Sequence, residues 1–307
     1  MTRSSTRRDV PAPACPTVRF APEFAARVER FTELTRARLA RREEFGRTSA
    51  ASGGHDFVGY RPYHEGDDPR TIDWAAYARS DRPLVRLTRR EAGERWVIVI
   101  DASASMGVGP PGKLQLAAET AVALGSVARR SGAVARVIVP ASSPRVFDVS
   151  ARTRLADLTA FLERVAAAGS CSGSDLALAP ARAGVSHAAR VFVLSDLLSA
   201  EPGELMALSE RHRSVSIVRV LAPAEWDGSV SGNSSTVGDR VEWVDPEQGT
   251  RVRIDVDART RERYEEELGV ELERWRRAAG RARVRHDVHA STAPFEDVAA
   301  RALERDS

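Results

Sequence analysis

Residues 96–106 read WVIVIDASASM, an apolar run from Trp96 to Ile100 that stops at Asp101 and gives way to Ser103 and Ser105. The run is rich in β-branched residues, is entered from charged residues and is left through small polar ones. It predicts a buried central strand. Asp101, Ser103 and Ser105 then occupy the exit loop, and in an open α/β sheet such an exit faces the crevice where ligands bind. One carboxylate and two hydroxyls offer oxygen donors only, which suits a hard divalent cation better than zinc or copper. A DxSxS loop occurs wherever serine is common, so it needs matching donors from elsewhere.

C-terminal to this stretch, Lys113–Arg130 predicts a helix with Leu114, Ala117, Ala121 and Leu124 on its apolar side. Residues 133–140 and 145–149 predict a hairpin, 152–167 a helix, and 168–176, AGSCSGSDL, a small-residue loop. A second apolar strand at 190–194 ends at Ser195 and Asp196, followed by helix 201–213 and strand 215–220. This alternation predicts an α/β fold: a mostly parallel central sheet with helices on both faces. An insertion at about 222–256 carries a hairpin around the turn at 246–249. Helix 259–279, strand 283–288 and helix 294–303 close the domain of residues 96–307.

N-terminal to it, residues 1–20 are a Pro-, Ser-, Thr- and Arg-rich tail expected to be disordered. Residues 21–95 form an extension. It opens on an amphipathic helix with Phe24, Val28, Phe31, Leu34 and Leu39 on one side. Strands at 57–63 and 84–88 then flank a short helix at 72–78. His64, Glu65, Asp67, Asp68 and Asp73 make this the densest acidic cluster of the chain. It can be a second metal site or an acid and base pair. Against that, Asp67 and Asp68 can cap the short helix while Arg61, Arg70 and Arg79 pair with carboxylates. One histidine without a second is a poor metal pattern, which favours the structural role.

The 307 residues are 42% hydrophobic and 29% charged, enough to bury a substantial core, and the formal net charge of +3 does not point to nucleic acid. Lys113 is the only lysine, which reads as genome composition. Cys15 and Cys171 make neither a disulfide framework nor a zinc pattern. The N-terminus has no apolar signal core, and no segment approaches the ~18 consecutive apolar residues of a spanning helix. A cytoplasmic protein without a membrane span is expected.

Two further strand exits supply oxygens. Ser174 lies in the Gly173–Ser174–Asp175 loop, and Asp196 follows the second apolar strand. Asp101 and Asp196 would about neutralise a divalent cation while Ser103, Ser105 and Ser174 add neutral donors. That leaves a position for an acidic oxygen from a partner. Together these five residues resemble the metal-ion-dependent adhesion site of von Willebrand factor A domains. The wider chain is similar to the domain of unknown function 58 family. The matching stretches are YRPYHEGDDPRTIDWAAYAR from Tyr60, DASASM from Asp101, GSDL from Gly173, LSDL from Leu194 and LAPAEWD from Leu221.

The resemblance implies a Rossmann-like A fold, bound magnesium or manganese, and a protein partner that supplies an acidic side chain. It also implies cooperation with a MoxR-type AAA+ ATPase in assembling or maturing other proteins. Two departures stand out: A domains usually have threonine where this chain has Ser174, and many members of the family carry N-terminal membrane helices. The expected function is therefore a non-enzymatic, metal-dependent adaptor. The rival is a metal hydrolase using Asp101 and Asp196 with His64 or Asp73 as base. Two weaker patterns are GVGPPGKL at 107–114, a phosphate-loop imitation in which Leu114 replaces the hydroxyl residue, and Ser195 with His187 and His212, which lacks a nucleophile elbow.

Overall fold

The computed structural model describes residues 17–47, 56–63, 73, 74, 76, 77, 82–89, 94–227 and 239–304. In chain order these form α1 (Phe24–Arg47), β1 (Asp56–Pro62), β2 (Leu84–Arg89), β3 (Arg95–Ile100), α2 (Lys113–Arg130), β4 (Val134–Val139) and β5 (Arg145–Val149). Then come α3 (Leu155–Leu162), α4 (Gly173–Arg182), β6 (Arg190–Ser195), α5 (Pro202–Met206), β7 (Val215–Leu221) and α6 (Pro223–Asp227). The hairpin strands β8 (Asp239–Val244) and β9 (Arg251–Val256) precede α7 (Ala258–Ala282), β10 (Arg285–Ala290) and α8 (Phe295–Leu303).

Six strands make one sheet in the order β10-β7-β6-β3-β4-β5, parallel throughout except for the antiparallel β4–β5 edge. Counted within the sheet this is the doubly wound 3-2-1-4-5-6 order, whose direction of winding reverses between its first and fourth strands. Those strands are β3 and β6. The expected mostly parallel sheet with helices on both faces is the one found. β1 and β2 pair with each other, as do β8 and β9, each as a separate two-stranded sheet.

β3 shows why the sequence folds this way. Its side chains alternate between faces, and both faces are covered, so every second residue goes into a different core. Trp96, Ile98 and Ile100 pack with α1, α2 and α8, while Val97 and Val99 pack with α4, α5 and α7. Burying each such side chain contributes about 1.5–3 kcal/mol. α2 is buried almost all round, because the sheet lies on one side and α1, α3 and α8 on the others. Its small residues permit that approach: a Cβ added at Gly125 would stand 3.2 Å from Leu158 Cδ2.

Three local expectations change. Leu34 is 61% exposed, and the buried stripe of α1 runs through Phe24, Val28, Phe31, Thr32 and Thr35 instead. Thr32 can turn inward because its hydroxyl donates to the Val28 carbonyl at 2.7 Å and bonds Ser126 Oγ at 3.1 Å. The helix expected over 152–167 is only Leu155–Leu162, since Ala166 leaves it to bridge Thr17. The helix expected over 201–213 is the short α5 followed by a 3₁₀ turn at Ala207–Glu210.

His286 on β10 stacks on the buried Trp275 of α7 at 5.6 Å. Burial first, and then the charge of Arg219, push its imidazole down to about 4. The folded value lies below the ordinary one, so the unfolded chain binds the extra proton. Stability is full above about pH 6.5 and drains as pH falls towards 4, by a total on the order of 3 kcal/mol. His286→Phe should lose most of this acid sensitivity. The check is the stability difference between variant and wild type in urea at pH 7.5 and at pH 4.5, a comparison in which other titrating groups cancel.

Candidate metal centre

The winding reversal puts the ends of β3 and β6 side by side, and the next residue of each is an aspartate. The Asp101 amide donates to the Leu194 carbonyl at 2.9 Å, so the β3–β6 ladder runs to the edge of the site. Asp101 and Asp196 are both buried. Asp101 Oδ1 accepts from the Ser103 amide at 2.8 Å and Oδ2 from the Ser195 hydroxyl at 2.6 Å. Burial, and next the neighbouring charge of Asp196, push the Asp101 carboxyl up to about 6 against those hydrogen bonds.

Ser103 and Ser105 are buried beside it, their hydroxyls 3.0 Å apart. The loop that follows α3 closes over them: the Ala104 amide donates to the Gly169 carbonyl and the Ala168 amide to the Ala102 carbonyl, each at 2.9 Å. On the far side of Asp196 the backbone turns through Leu197 at φ 60°, unusual for a branched residue. That turn is held by the Leu197 amide on Ser195 Oγ at 2.9 Å and the Leu198 amide on Asp196 Oδ1 at 3.2 Å.

Lys113, at the first position of α2, is completely buried, and its ammonium lies 2.7 Å from Asp196 Oδ2 and 2.6 Å from Glu225 Oε1 on α6. Its directed hydrogen bond goes to Glu225. Asp196 Oδ2 is therefore buried with the Lys113 charge beside it but no aligned hydrogen-bond donor. The Ala222 amide and the Tyr264 hydroxyl hold Glu225 in place, through its Oε2 and its carbonyl. The GVGPPGKL stretch is thus no phosphate cradle, because its lysine is spent on two carboxylates. Arg219, buried on β7, lies within electrostatic reach of Asp196 and Glu225, with Nε and Nη1 unpartnered among the described residues.

Of the five residues singled out in the sequence, Asp101, Ser103, Ser105 and Asp196 are together at this rim. Ser174 is not in a loop as expected but in the first turn of α4, which Ser172 caps; the Gly173 amide beside it donates to the Ser199 carbonyl, and the Ser174 hydroxyl donates to Glu204 Oε1 at 2.6 Å rather than to the other four. Among the described residues no three acidic, histidine or cysteine side chains converge as metal ligands. A cation here would rest on hydroxyls and two carboxylates. The donor set fits one: oxygens only, one buried carboxylate atom without an aligned donor, and more carboxylates (Asp101, Asp196, Glu225 and Glu247) than cations (Lys113 and Arg219).

The sequence did not reveal Glu247, which sits on the turn of the β8–β9 hairpin. Its Oε1 accepts from Ser105 Oγ at 2.9 Å, and Ser199 Oγ is 3.4 Å from Oε2. Lys113 carried one usable signal, as the only lysine of the chain. Glu225 lay inside the LAPAEWD stretch without a role.

The hydrolytic alternatives find little support. Ser195 is bonded to Asp101 and to backbone, while His187 and His212 precede β6 and β7, at the opposite end of those strands, and serve the backbone: His187 Nδ1 bonds the Arg211 carbonyl, and His212 Nδ1 accepts from the Ala188 amide. Asp73 accepts from the Ala76 amide as a helix cap. His64, Glu65, Asp67, Asp68, Arg70 and Arg79 lie outside the described residues. Burial and the surrounding carboxylates raise the Cys171 thiol far above its ordinary range, which leaves it inert as a nucleophile.

Residues 59–274 match the family model described as "Protein of unknown function DUF58". Among solved structures, BatB from Bacteroides thetaiotaomicron is 17% identical, covering 69% of this chain and 97% of that one with a TM-score of 0.42. An aerotolerance-related membrane protein from Bacteroides fragilis is 16% identical over 69% and 96%, also at 0.42. The SpRpn10 VWA domain is 11% identical over 67% and 93%, at 0.38. A search of curated proteins finds no match. No helix among the described residues is long and apolar enough to cross a membrane.

Proposed function

The chain belongs to the DUF58 family, and from that premise we propose that it is a cytoplasmic, non-enzymatic adaptor that captures protein partners through a magnesium or manganese ion. Ser103 and Ser105 would hold the cation directly. Asp101 and Asp196 would supply the balancing charge, and Ser174 would join them by exchanging Glu204 for the metal. When bound, the cation supplies a Lewis-acidic position for a carboxylate oxygen of the partner. One observation supports this above the rest: two buried aspartates and two buried serine hydroxyls meet where the sheet reverses its winding, with Asp196 Oδ2 lacking an aligned donor. Among the described residues Asp101 and Ser195 are bonded to each other and contact no histidine, which supports a binding role over a hydrolytic one.

A MoxR-type AAA+ ATPase is the proposed partner, on the family resemblance. Purified ATPase should be retained on the immobilised protein in millimolar magnesium and released by chelator. Ser103→Ala should abolish retention while leaving the thermal unfolding curve in place. Undiminished retention in chelator would defeat the metal-dependent adaptor.

A further inference from the structure

We propose that Glu247 is a ligand of this cation in cis, and that the β8–β9 hairpin therefore occupies the position a partner's carboxylate must take. The inference rests on the metal-dependent role given above. The two hairpin strands pair only with one another, and among the described residues no backbone hydrogen bond ties them to the main sheet. At the site itself the tip makes contact through a side chain. Glu247 reaches past its own turn to Ser105 and Ser199, which belong to the exit loops of β3 and β6 respectively.

The turn is built to aim that side chain. Asp245 Oδ1 accepts from the Glu247 and Gln248 amides at 2.8 and 3.2 Å. The Asp245 amide donates to the Thr250 carbonyl and the Gly249 amide to the Asp245 carbonyl, both at 2.8 Å, with Gly249 at φ 70° closing the turn. Glu247 is half-buried, and among the described residues no lysine or arginine pairs with it. It approaches a rim that already holds Asp101 and Asp196. With only the Ser105 and Ser199 hydroxyls as its donors, Glu247 adds to the excess of negative charge on a rim where Lys113 and Arg219 face Asp101, Asp196 and Glu225, and a divalent cation held there offsets that excess. Asp196 Oδ2 is already paired with the Lys113 ammonium at 2.7 Å, so the pointer to a missing positive charge is the surplus of the four carboxylates Asp101, Asp196, Glu225 and Glu247 over the cations Lys113 and Arg219.

The consequence is a self-occupied adaptor. A partner's acidic side chain does not meet an open position. It has to displace the hairpin's own, so capture depends on how readily the Glu247 carboxylate leaves Ser105 and Ser199.

Glu247→Gln tests this with manganese(II) alone as the probe, read by electron paramagnetic resonance for affinity and by water-proton relaxation for the number of coordinated waters. The turn backbone is untouched, so the variant should fold as wild type. Wild type should bind one ion. Glu247→Gln should bind it about tenfold more weakly, with a higher relaxation enhancement as water replaces the carboxylate. It should also retain the ATPase more tightly at saturating metal. Equal or tighter manganese binding by Glu247→Gln with unchanged hydration overturns the inference and leaves the metal site standing. No manganese binding by wild type overturns both.

Discussion

Lys113→Met should destabilise the protein by roughly 3 to 5 kcal/mol, read as a fall of about 10 °C in melting temperature. The size follows from what is left behind. Methionine fills nearly the same volume, so little packing is lost, but Asp196 and Glu225 remain within 2.6 to 2.7 Å of a position that no longer carries charge. A bystander lysine would give the opposite sign. A cation at the first turn of a helix opposes the macrodipole, at a cost of about 0.3 to 1 kcal/mol. If that were all Lys113 did, its removal would stabilise α2. Urea unfolding at neutral pH separates the two outcomes. Lys113→Met combined with Asp196→Asn and Glu225→Gln should recover most of the loss, because the carboxylates that needed the ammonium are then gone.

How far the sequence carries is set by the range of the interactions involved. β3 and β6 are legible because five or six consecutive residues announce a strand buried on both faces. The loops after them are legible because Asp101 and Asp196 end those runs. Helical and strand periodicity likewise mark the hairpin at 239–256 and the apolar side of α2. Side-chain pairing between distant segments has no such local signature. Lys113 meets Glu225 across 112 positions and Ser105 meets Glu247 across 142, and nothing near either glutamate marks it as different from a surface residue.

Two misplacements have the same origin. Ser174 reads as part of a small-residue loop but lies in the first turn of α4, and its hydroxyl turns to the carboxylate of Glu204, thirty residues on. Leu34 fits a helical stripe on paper, but the neighbour that α1 packs on is α2, whose Ser126 offers a hydrogen bond to Thr32. The partner's surface selects which side of the helix is buried. That surface is encoded nearly a hundred residues away.

Asp101→Asn should raise the stability of the metal-free protein while removing its response to magnesium, two effects of opposite sign from one atom. The carboxylate is buried next to a second one and its charged form is disfavoured by that burial, as its upward shift to about 6 records. Asparagine keeps the shape. Its carbonyl can accept from the Ser103 amide as Oδ1 does now, and its amide can donate to Ser195 Oγ once that hydroxyl turns away. The unfavourable charge disappears, for a gain of about 1 to 3 kcal/mol. The wild-type protein at a magnesium concentration near a hundred times its dissociation constant should be stabilised by about 2.7 kcal/mol, by mass action on the folded state alone. Asp101→Asn should show almost none of this, because half of the aspartate charge facing the ion is gone. Thermal melts with and without magnesium, on both proteins, give the four numbers required. A variant that is more stable without metal and indifferent to it identifies Asp101 as a residue kept for the ion at the expense of the fold. A variant that is simply less stable in both conditions assigns Asp101 to the architecture of the loop, and the cation would then need another seat.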